Sequence, residues 1–203
     1  MTSLKVYGAP KTRTVRTLWM MGELGLPYEH IPITTHDGAN FTAGYLAVNP
    51  GGKVPTLDDG GFVLNESMAI NLYLAKTYGK SLYPSTPQGE ARAWQWSFWA
   101  VTEVDKTIID WALHSSVLPE AERDSKRARA ARLELDRPLA VLESALKSEP
   151  WLVEGRFTVA DLNAASVMYR ALWMALDDKP PVRDWLHRCW DRPAARQARA
   201  MRE

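Results

Sequence analysis

The chain has 203 residues, of which 46% are hydrophobic and 24% charged, so it can bury a core and is not a disordered sequence. Its 25 basic and 24 acidic residues balance, which excludes the basic excess that binding to a phosphate backbone requires. The single cysteine, Cys189, excludes an internal disulfide framework, and the histidines show no metal-ligand spacing with it. We therefore expect neither a nucleic-acid partner nor a metal.

The sequence also lacks the signals for export and for membrane insertion. No stretch approaches the about 18 consecutive apolar residues that can span a bilayer. The N-terminus leads directly into a strand pattern, without the basic and apolar segments of a secretory signal. These features predict a cytoplasmic protein with no membrane partner.

The composition of the chain changes near residue 80. Ten of the twelve glycines lie in residues 1–79, whereas eight of the nine tryptophans follow. Glycine marks turns between short elements, while long tryptophan-rich stretches without glycine favour packed helices. The sequence predicts an N-terminal domain over residues 1–79, a proline-containing linker over residues 80–86 and a second domain over residues 87–203.

The first part alternates strand and helix patterns. Strand patterns occur at four places, residues 4–7, 28–33, 54–58 and 62–65. Helical patterns cover residues 14–24, which stop at Gly25, and residues 67–78. The order β-α-β, a loop, and β-β-α predicts a thioredoxin-like α/β domain.

The second part has helical periodicity nearly throughout. Pro87 suits the first turn of a long helix, and residues 121–148 have the pattern of one helix, with a leucine stripe beside a charged face. Thr158 and Asp161 have the spacing of a capping box at the start of an apolar helix. An all-α C-terminal domain is predicted.

The strongest functional signal is the stretch NPGGKVPTL, followed further on by NESMAI. Pro55 cannot donate a hydrogen bond to a sheet, and a cis Val54–Pro55 bond would turn the main chain of Val54 outward, where an extended peptide can pair with it. Ser67 begins a helix, where its hydroxyl and the free N–H groups favour an anion. Because Glu66 can hold an ammonium group, the pattern predicts a site for a small peptide that carries both charges.

Together with WLVEGRFTVADL further along the chain, these motifs resemble the cytosolic glutathione S-transferase family, in their order and spacing and over nearly the whole sequence. The resemblance implies that glutathione is bound as a co-substrate. Val54 and Pro55 would pair with its cysteinyl main chain. Glu66 and Ser67 would hold its γ-glutamyl end, and Lys53 would lie near its glycyl carboxylate. Taken singly, Pro55 and Ser67 are also compatible with a turn and a helix cap.

The activity that the resemblance implies is attack of the glutathione thiolate on an electrophile. A free thiol has a pKa near ~8.5, and a hydroxyl that donates a hydrogen bond to the sulfur lowers it. The hydroxyls available after the first strand are those of Thr12, Thr14 and Tyr7. Thr12 is the first candidate for this donor, because it lies four residues before Arg16, the spacing at which Ser-type members of the family place their serine. Arg13 can add a positive field at the thiolate.

Two of these hydroxyls are also compatible with purely structural roles. Thr14 can serve as the N-cap of the first helix, and Tyr7 as a core aromatic residue of the first strand. No cysteine lies in this loop, which favours Ser/Thr-type over Cys-type chemistry.

The resemblance further implies a homodimer and an acceptor-substrate pocket that is lined in part by the helix after Pro87. The candidate pocket residues are Trp96, Phe98, Trp99, Trp111 and His114. Each is also compatible with a place in the helical core or with a dimer contact. The predicted function is conjugation of glutathione to a small hydrophobic electrophile in detoxification. Two alternatives stay open: a non-catalytic binding or interaction protein of the same fold, and a glutathione-dependent peroxidase, isomerase or dehalogenase.

Overall fold

The computed structural model describes residues 4–79 and 81–202. The chain divides into two compact units, Met1–Tyr83 together with Asp191–Glu203, and Pro84–Trp190. The first unit contains a four-stranded sheet with helices and the second is mostly helical, which confirms the predicted fold class. The division differs from the sequence prediction at the C-terminal end, because the last segment joins the first unit.

The sheet of the first unit has the strand order β2-β1-β3-β4. Its strands are β1 (Leu4–Tyr7), β2 (Glu29–Ile31), β3 (Thr56–Asp59) and β4 (Phe62–Asn65). β1 is parallel to β2 and antiparallel to β3, which in turn is antiparallel to β4. Gly60 and Gly61, both with positive φ, turn the chain between β3 and β4, as expected for a hairpin. All four predicted strands are present, although β2 is shorter and β3 begins two residues later than predicted.

Helices make up the rest of the regular structure in the described residues. In chain order, the α-helices are α1 (Val15–Leu24), α2 (Ala43–Val48), α3 (Ser67–Tyr78), α4 (Pro87–Trp99), α5 (Asp105–Ala112), α6 (Ser125–Glu134), α7 (Asp136–Leu146), α8 (Val159–Val167), α9 (Pro180–Trp190) and α10 (Pro193–Arg202). The sequence does not predict α2, because six residues are too few to establish a helical period. Within the part of the chain that the structure describes, none of the helices is both long and apolar enough to cross a membrane.

Helix α1 lies at the centre of the first unit, where α3 and α10 pack against it. At the contact with α10, a Cβ on Gly22 would lie 3.0 Å from Cβ of Ala194, so the two helices approach closely. The carboxylate of Glu23 accepts two hydrogen bonds from Arg192, at 2.8 and 2.7 Å, and a third from Nε1 of Trp19, at 2.9 Å. This close packing and the ion pair explain why the C-terminal segment belongs to the first unit.

Two long helices predicted for the second unit are interrupted. α4 passes into a π-helical turn, Ala100–Val104, before α5 begins. The single helix predicted over residues 121–148 is two helices, α6 and α7, which meet at Leu135. Pro138 lacks the N–H that a continuous helix would bond to the preceding turn, and this accounts for the break. The leucine stripe is buried from Leu135 onward, whereas Leu133 is exposed.

The predicted capping box at the start of α8 is present and fully buried. One oxygen of Asp161 accepts from the main-chain N–H of Leu152 at 2.9 Å and from Nε1 of Trp185 at 3.0 Å. The other accepts from the N–H of Thr158 at 3.0 Å and from its hydroxyl at 3.3 Å. Burial raises the pKa of Asp161 to about 6, although these four hydrogen bonds act to lower it.

A second carboxylate, that of Glu154, fixes the start of α4. It accepts hydrogen bonds from the main-chain N–H groups and the hydroxyls of Ser85 and Thr86, at 2.9 to 3.1 Å. The hydroxyl of Thr86 in turn accepts from the N–H of Gly89 at 3.0 Å and caps the helix. Burial acts to raise the pKa of Glu154, but the hydrogen bonds from Ser85 and Thr86 outweigh it and lower the pKa to about 2.

We expect Asp161→Asn to lower the free energy of unfolding by about 3 kcal/mol or more. The side chain keeps its size, but its amide nitrogen would face two donors, so one of the two pairs of hydrogen bonds is lost. Urea denaturation followed by circular dichroism measures the change. The control is Asp177→Asn, which removes an ion pair with Arg183 at the surface and is expected to cost less than about 1 kcal/mol. Equal losses in the two variants would contradict the structural role of Asp161.

Candidate active site

One edge of the sheet brings together the segments that the sequence singles out. Tyr7, at the end of β1, pairs with Thr56 at the start of β3, and Thr56 pairs with Asn65 at the end of β4. These three residues form a row across the sheet, so the segments that adjoin them lie at the same edge. The segments are the turn after β1, the Val54–Pro55 pair before β3 and the Glu66–Ser67 pair at the start of α3.

The turn after β1, residues Pro10–Thr14, carries Thr12. Its backbone is π-helical, and Thr12 departs from helical conformation with φ −98° and ψ −170°. The hydroxyl of Thr12 donates to the carbonyl oxygen of Ala9 at 2.7 Å and accepts from the N–H of Thr14 at 3.2 Å, and it lies 2.8 Å from the Thr14 hydroxyl. Because Thr12 is only partly buried, the turn offers a fixed hydroxyl that a ligand can approach.

The hydroxyl of Thr14, by contrast, lies inside the protein. The residue is 0% exposed, and at the N-terminal end of α1 its side chain makes no capping hydrogen bond. Gly8 lies against it with φ +130°. A Cβ on Gly8 would collide with the Thr14 hydroxyl and lie 2.9 Å from Cβ of Val54. Thr14 therefore neither caps the helix through its side chain nor presents a hydroxyl to solvent.

A residue that the sequence patterns do not single out also binds this turn. Nη1 of Arg202, at the end of α10, donates to the carbonyl oxygen of Lys11 at 2.8 Å, with those of Thr12 and Pro10 at 3.3 and 3.4 Å. No local pattern predicts a contact between residues 190 positions apart. Arg13 is exposed, and its effect on a bound thiolate stays a prediction.

The main chain of Val54 is the second component of the site. The Val54–Pro55 peptide bond is cis, Val54 is half-buried and Pro55 is buried. Among the residues that the structure describes, none forms a hydrogen bond with the main-chain N–H or C=O of Val54. Unpaired main-chain groups beside a strand are those to which an extended peptide adds. Lys53, next to Val54, is exposed.

A buried polar network holds the segment before β3 in place. The hydroxyl of Tyr45 and the amide of Asn49 both donate to the carbonyl oxygen of Lys53, at 2.6 and 2.7 Å. The same amide donates to the hydroxyl of Thr56 at 3.2 Å. That hydroxyl donates in turn to Oδ1 of Asn65 at 2.7 Å. The only sequence signal for this network is the asparagine that opens NPGGKVPTL, and its partners lie in α2 and the strands.

The start of α3 is the third component. The hydroxyl of Ser67 has no hydrogen-bond partner within residues 4–79 and 81–202, and Glu66 makes no side-chain capping bond. Glu66 is exposed, with φ 72°. The first turn of this twelve-residue helix favours an anion. An exposed carboxylate thus stands beside an anion-binding helix start, which is the pair of groups that an amino-acid zwitterion requires.

Tyr7 lies at the same edge but is engaged in packing. It is half-buried, and its ring centroid is 6.1 Å from that of Tyr45 in α2. A role for Tyr7 as a hydrogen-bond donor to a thiol stays a prediction.

The candidate acceptor residues lie in the second unit. Trp96 is buried, and its ring packs edge-on against Trp99 with the centroids 5.1 Å apart. Trp111 is half-buried. Nδ1 of His114 accepts a hydrogen bond from the N–H of Asp124 at 3.2 Å, so the ring joins the end of α5 to the start of α6. Binding of a second substrate stays a prediction for these four residues and for the exposed Phe98.

The described part of the chain contains no group of three histidine, cysteine, aspartate or glutamate side chains that could hold a metal ion. Cys189, the single cysteine of the sequence, is buried in α9 and forms no disulfide.

Comparison with known proteins gives a consistent assignment. The family model of the glutathione S-transferase N-terminal domain matches residues 2–76, and that of the C-terminal domain matches residues 104–193. Glutathione S-transferase GstB of Escherichia coli strain K12 is 32% identical over 191 residues, which cover 92% of each chain.

Solved structures agree with these sequence matches. The theta class glutathione S-transferase of Xanthomonas axonopodis pv. citri, with glutathione bound, is 35% identical and superposes with a TM-score of 0.88 over 98% of this chain and 97% of that one. The transferase URE2P6 of Phanerochaete chrysosporium, in complex with oxidized glutathione, is 27% identical with a TM-score of 0.83 over 99% and 96% of the two chains. The chain therefore belongs to the glutathione S-transferase family of enzymes.

Proposed function

We propose that this enzyme lowers the pKa of the glutathione thiol and transfers the thiolate to a small hydrophobic electrophile. The observation that carries the proposal is the fixed hydroxyl of Thr12 at the same sheet edge as the unpaired main chain of Val54. The glutathione bound to the Xanthomonas enzyme and the oxidized glutathione bound to URE2P6 support the choice of ligand.

Each part of glutathione has a counterpart at this edge. The main-chain N–H and C=O of Val54 pair with the cysteinyl residue as an added strand does. Ser67 and the first turn of α3 bind the α-carboxylate of the γ-glutamyl end, and Glu66 binds its ammonium group. Lys53 is near the glycyl carboxylate. These contacts hold the peptide at its two charged ends and so fix the position of its cysteinyl sulfur.

The hydroxyl of Thr12 then favours the thiolate over the thiol. An O–H that donates to a negative sulfur stabilises the charged form and so lowers the pKa below the free value of ~8.5. The thiol proton passes to solvent, while Thr12 keeps its own proton. The sulfur forms a bond to the electrophilic carbon, and the displaced electron pair leaves with the departing group or stays on the acceptor and is protonated. Thr12 acts as an electrostatic donor throughout and is never the nucleophile.

The exposed aromatic residues of α4 support a homodimer. Trp94 and Phe98 lie one helical turn apart and Val101 follows, and all three are exposed. An apolar stripe of this kind on a water-facing helix indicates a protein contact. A second copy of the chain is the partner that we propose.

We expect Thr12→Val to raise the pKa of bound glutathione by about one to two units, because a hydrogen bond to a charged group is lost. kcat/KM should fall about 10- to 100-fold with it. The measurement is the ultraviolet absorbance of the thiolate across pH, with glutathione at saturation. Thr12→Ser keeps the hydroxyl and should retain the wild-type pKa.

The same titration separates the alternative functions. Glutathione that binds with an ordinary thiol pKa would favour a non-catalytic binding protein of this fold. A lowered pKa without conjugation of hydrophobic electrophiles would favour a peroxidase, an isomerase or a dehalogenase, since all use the same thiolate. A cytoplasmic location and a detoxifying role stay predictions of the sequence.

We expect Ser67→Ala to weaken glutathione binding about 10-fold or more, because a hydroxyl that bonds to a charged carboxylate is removed. Calorimetric titration with glutathione measures the dissociation constant. Ser144→Ala, at an exposed position of α7, is the control and should leave it unchanged. Equal affinities for the two variants would contradict the placement of the γ-glutamyl end.

We expect Phe98→Glu to convert the dimer to a monomer, since two buried carboxylates would face an apolar surface. Sedimentation equilibrium measures the mass. Leu133→Glu is the matched control: Leu133 is 69% exposed and Phe98 60% exposed, but Leu133 lies on α6 outside the stripe. A wild-type chain that sediments as a monomer would contradict the proposed dimer directly.

A further inference from the structure

We propose that Thr14 is a positioning residue, whose buried hydroxyl donates to the hydroxyl of Thr12 and makes it a stronger donor to the glutathione sulfur. Both hydroxyls act in the proposed transfer reaction, so this role rests on the proposed function. Thiol activation would then use two hydroxyls in series, of which only the first touches the substrate.

The direction of the bond between the two hydroxyls follows from counting protons. A threonine hydroxyl has one proton to donate and two lone pairs to accept with. Thr12 uses its proton on the carbonyl oxygen of Ala9, at 2.7 Å. The proton between the two hydroxyl oxygens, which are 2.8 Å apart, therefore comes from Thr14. The N–H of Thr14 supplies the second donor to the same oxygen, at 3.2 Å.

Binding of the thiolate needs only one rotation in this arrangement. The proton of Thr12 turns from the carbonyl oxygen of Ala9 to the sulfur. That carbonyl still accepts from the main-chain N–H of Thr12 at 3.0 Å, so it is not left unpaired. Both donors from Thr14 continue to point at the oxygen of Thr12. They fix its position and polarise its O–H bond, as in a chain of cooperative hydrogen bonds.

The surroundings of Thr14 strengthen this effect. Its side chain is 0% exposed, so no water competes for the hydroxyl. Among the residues that the structure describes, the Thr14 hydroxyl has no second hydrogen-bond partner that would draw its proton elsewhere. The missing side chain of Gly8 leaves the space that the Thr14 hydroxyl occupies.

The test compares Thr14→Val with Thr14→Ser, using the thiolate absorbance of bound glutathione across pH. Thr14→Val removes the hydroxyl at nearly constant size, and we expect the thiol pKa to rise by about half a unit to one unit. Thr14→Ser restores the donor and should restore the pKa. The dissociation constant of glutathione and the melting temperature are measured in parallel. A variant that melts earlier but binds glutathione with the wild-type thiol pKa would overturn the proposal.

A double-variant cycle separates this role from a structural one. If Thr14 acts through Thr12, Thr14→Val should leave the thiol pKa unchanged in a Thr12→Val background. A further rise there would mean that Thr14 acts on the sulfur by another route, and would overturn the relay. Should Thr14→Val not fold, Thr14→Ala takes its place in the same cycle.

The outcomes also distinguish this inference from the proposed function. An ordinary thiol pKa in the wild-type enzyme would overturn both. A lowered pKa that is lost in Thr12→Val but kept in Thr14→Val would overturn only the relay.

Discussion

Gly8 lies between Thr14 and Val54, where there is room for a hydrogen atom on its Cα but not for a side chain. With φ +130°, Gly8 also has a backbone conformation that residues with a Cβ rarely adopt. The close approach brings the turn that carries Thr12 against the segment that carries the unpaired main chain. The hydroxyl of Thr12 and the unpaired main chain of Val54 are thereby brought together by one residue without a side chain.

Polar side chains hold the chain in place at three points where it leaves regular structure. Asn49 supports the segment before β3, Glu154 the start of α4 and Asp161 the start of α8. Each forms several hydrogen bonds with main-chain groups that have no partner within a helix or strand. Such networks fix loop geometry sharply, because a misplaced loop leaves buried polar groups unpaired. In the first unit Asn49 holds a segment that adjoins the sheet, whereas Glu154 and Asp161 fix helix starts within the second unit.

Features encoded over a few neighbouring residues can be predicted from the sequence. The capping box and the hairpin are of this kind. Motif order is enough to single out Val54 and Ser67, and the spacing to Arg16 singles out Thr12. Contacts between distant segments are not predictable in this way. The placement of α10 depends on its close approach to Gly22. The break after α6 depends on Pro138, but the leucine stripe continues past this proline and so predicts a single helix. Thr14 is recognisable as a hydroxyl near the site, but its burial depends on Gly8 and Val54, which only the folded chain brings to it.

The contact of Arg202 with the Pro10–Thr14 turn has a consequence for the order of events during synthesis. Residues from both ends of the sequence build this turn, so it lacks one of its supports until the last described helix has left the ribosome and docked on α1. A nascent chain can complete the sheet well before that moment, whereas the second unit ends at Trp190, directly before α10. The geometry around Thr12 is then among the last parts of the first unit to form, because the helix that carries Arg202 is the last described element of that unit.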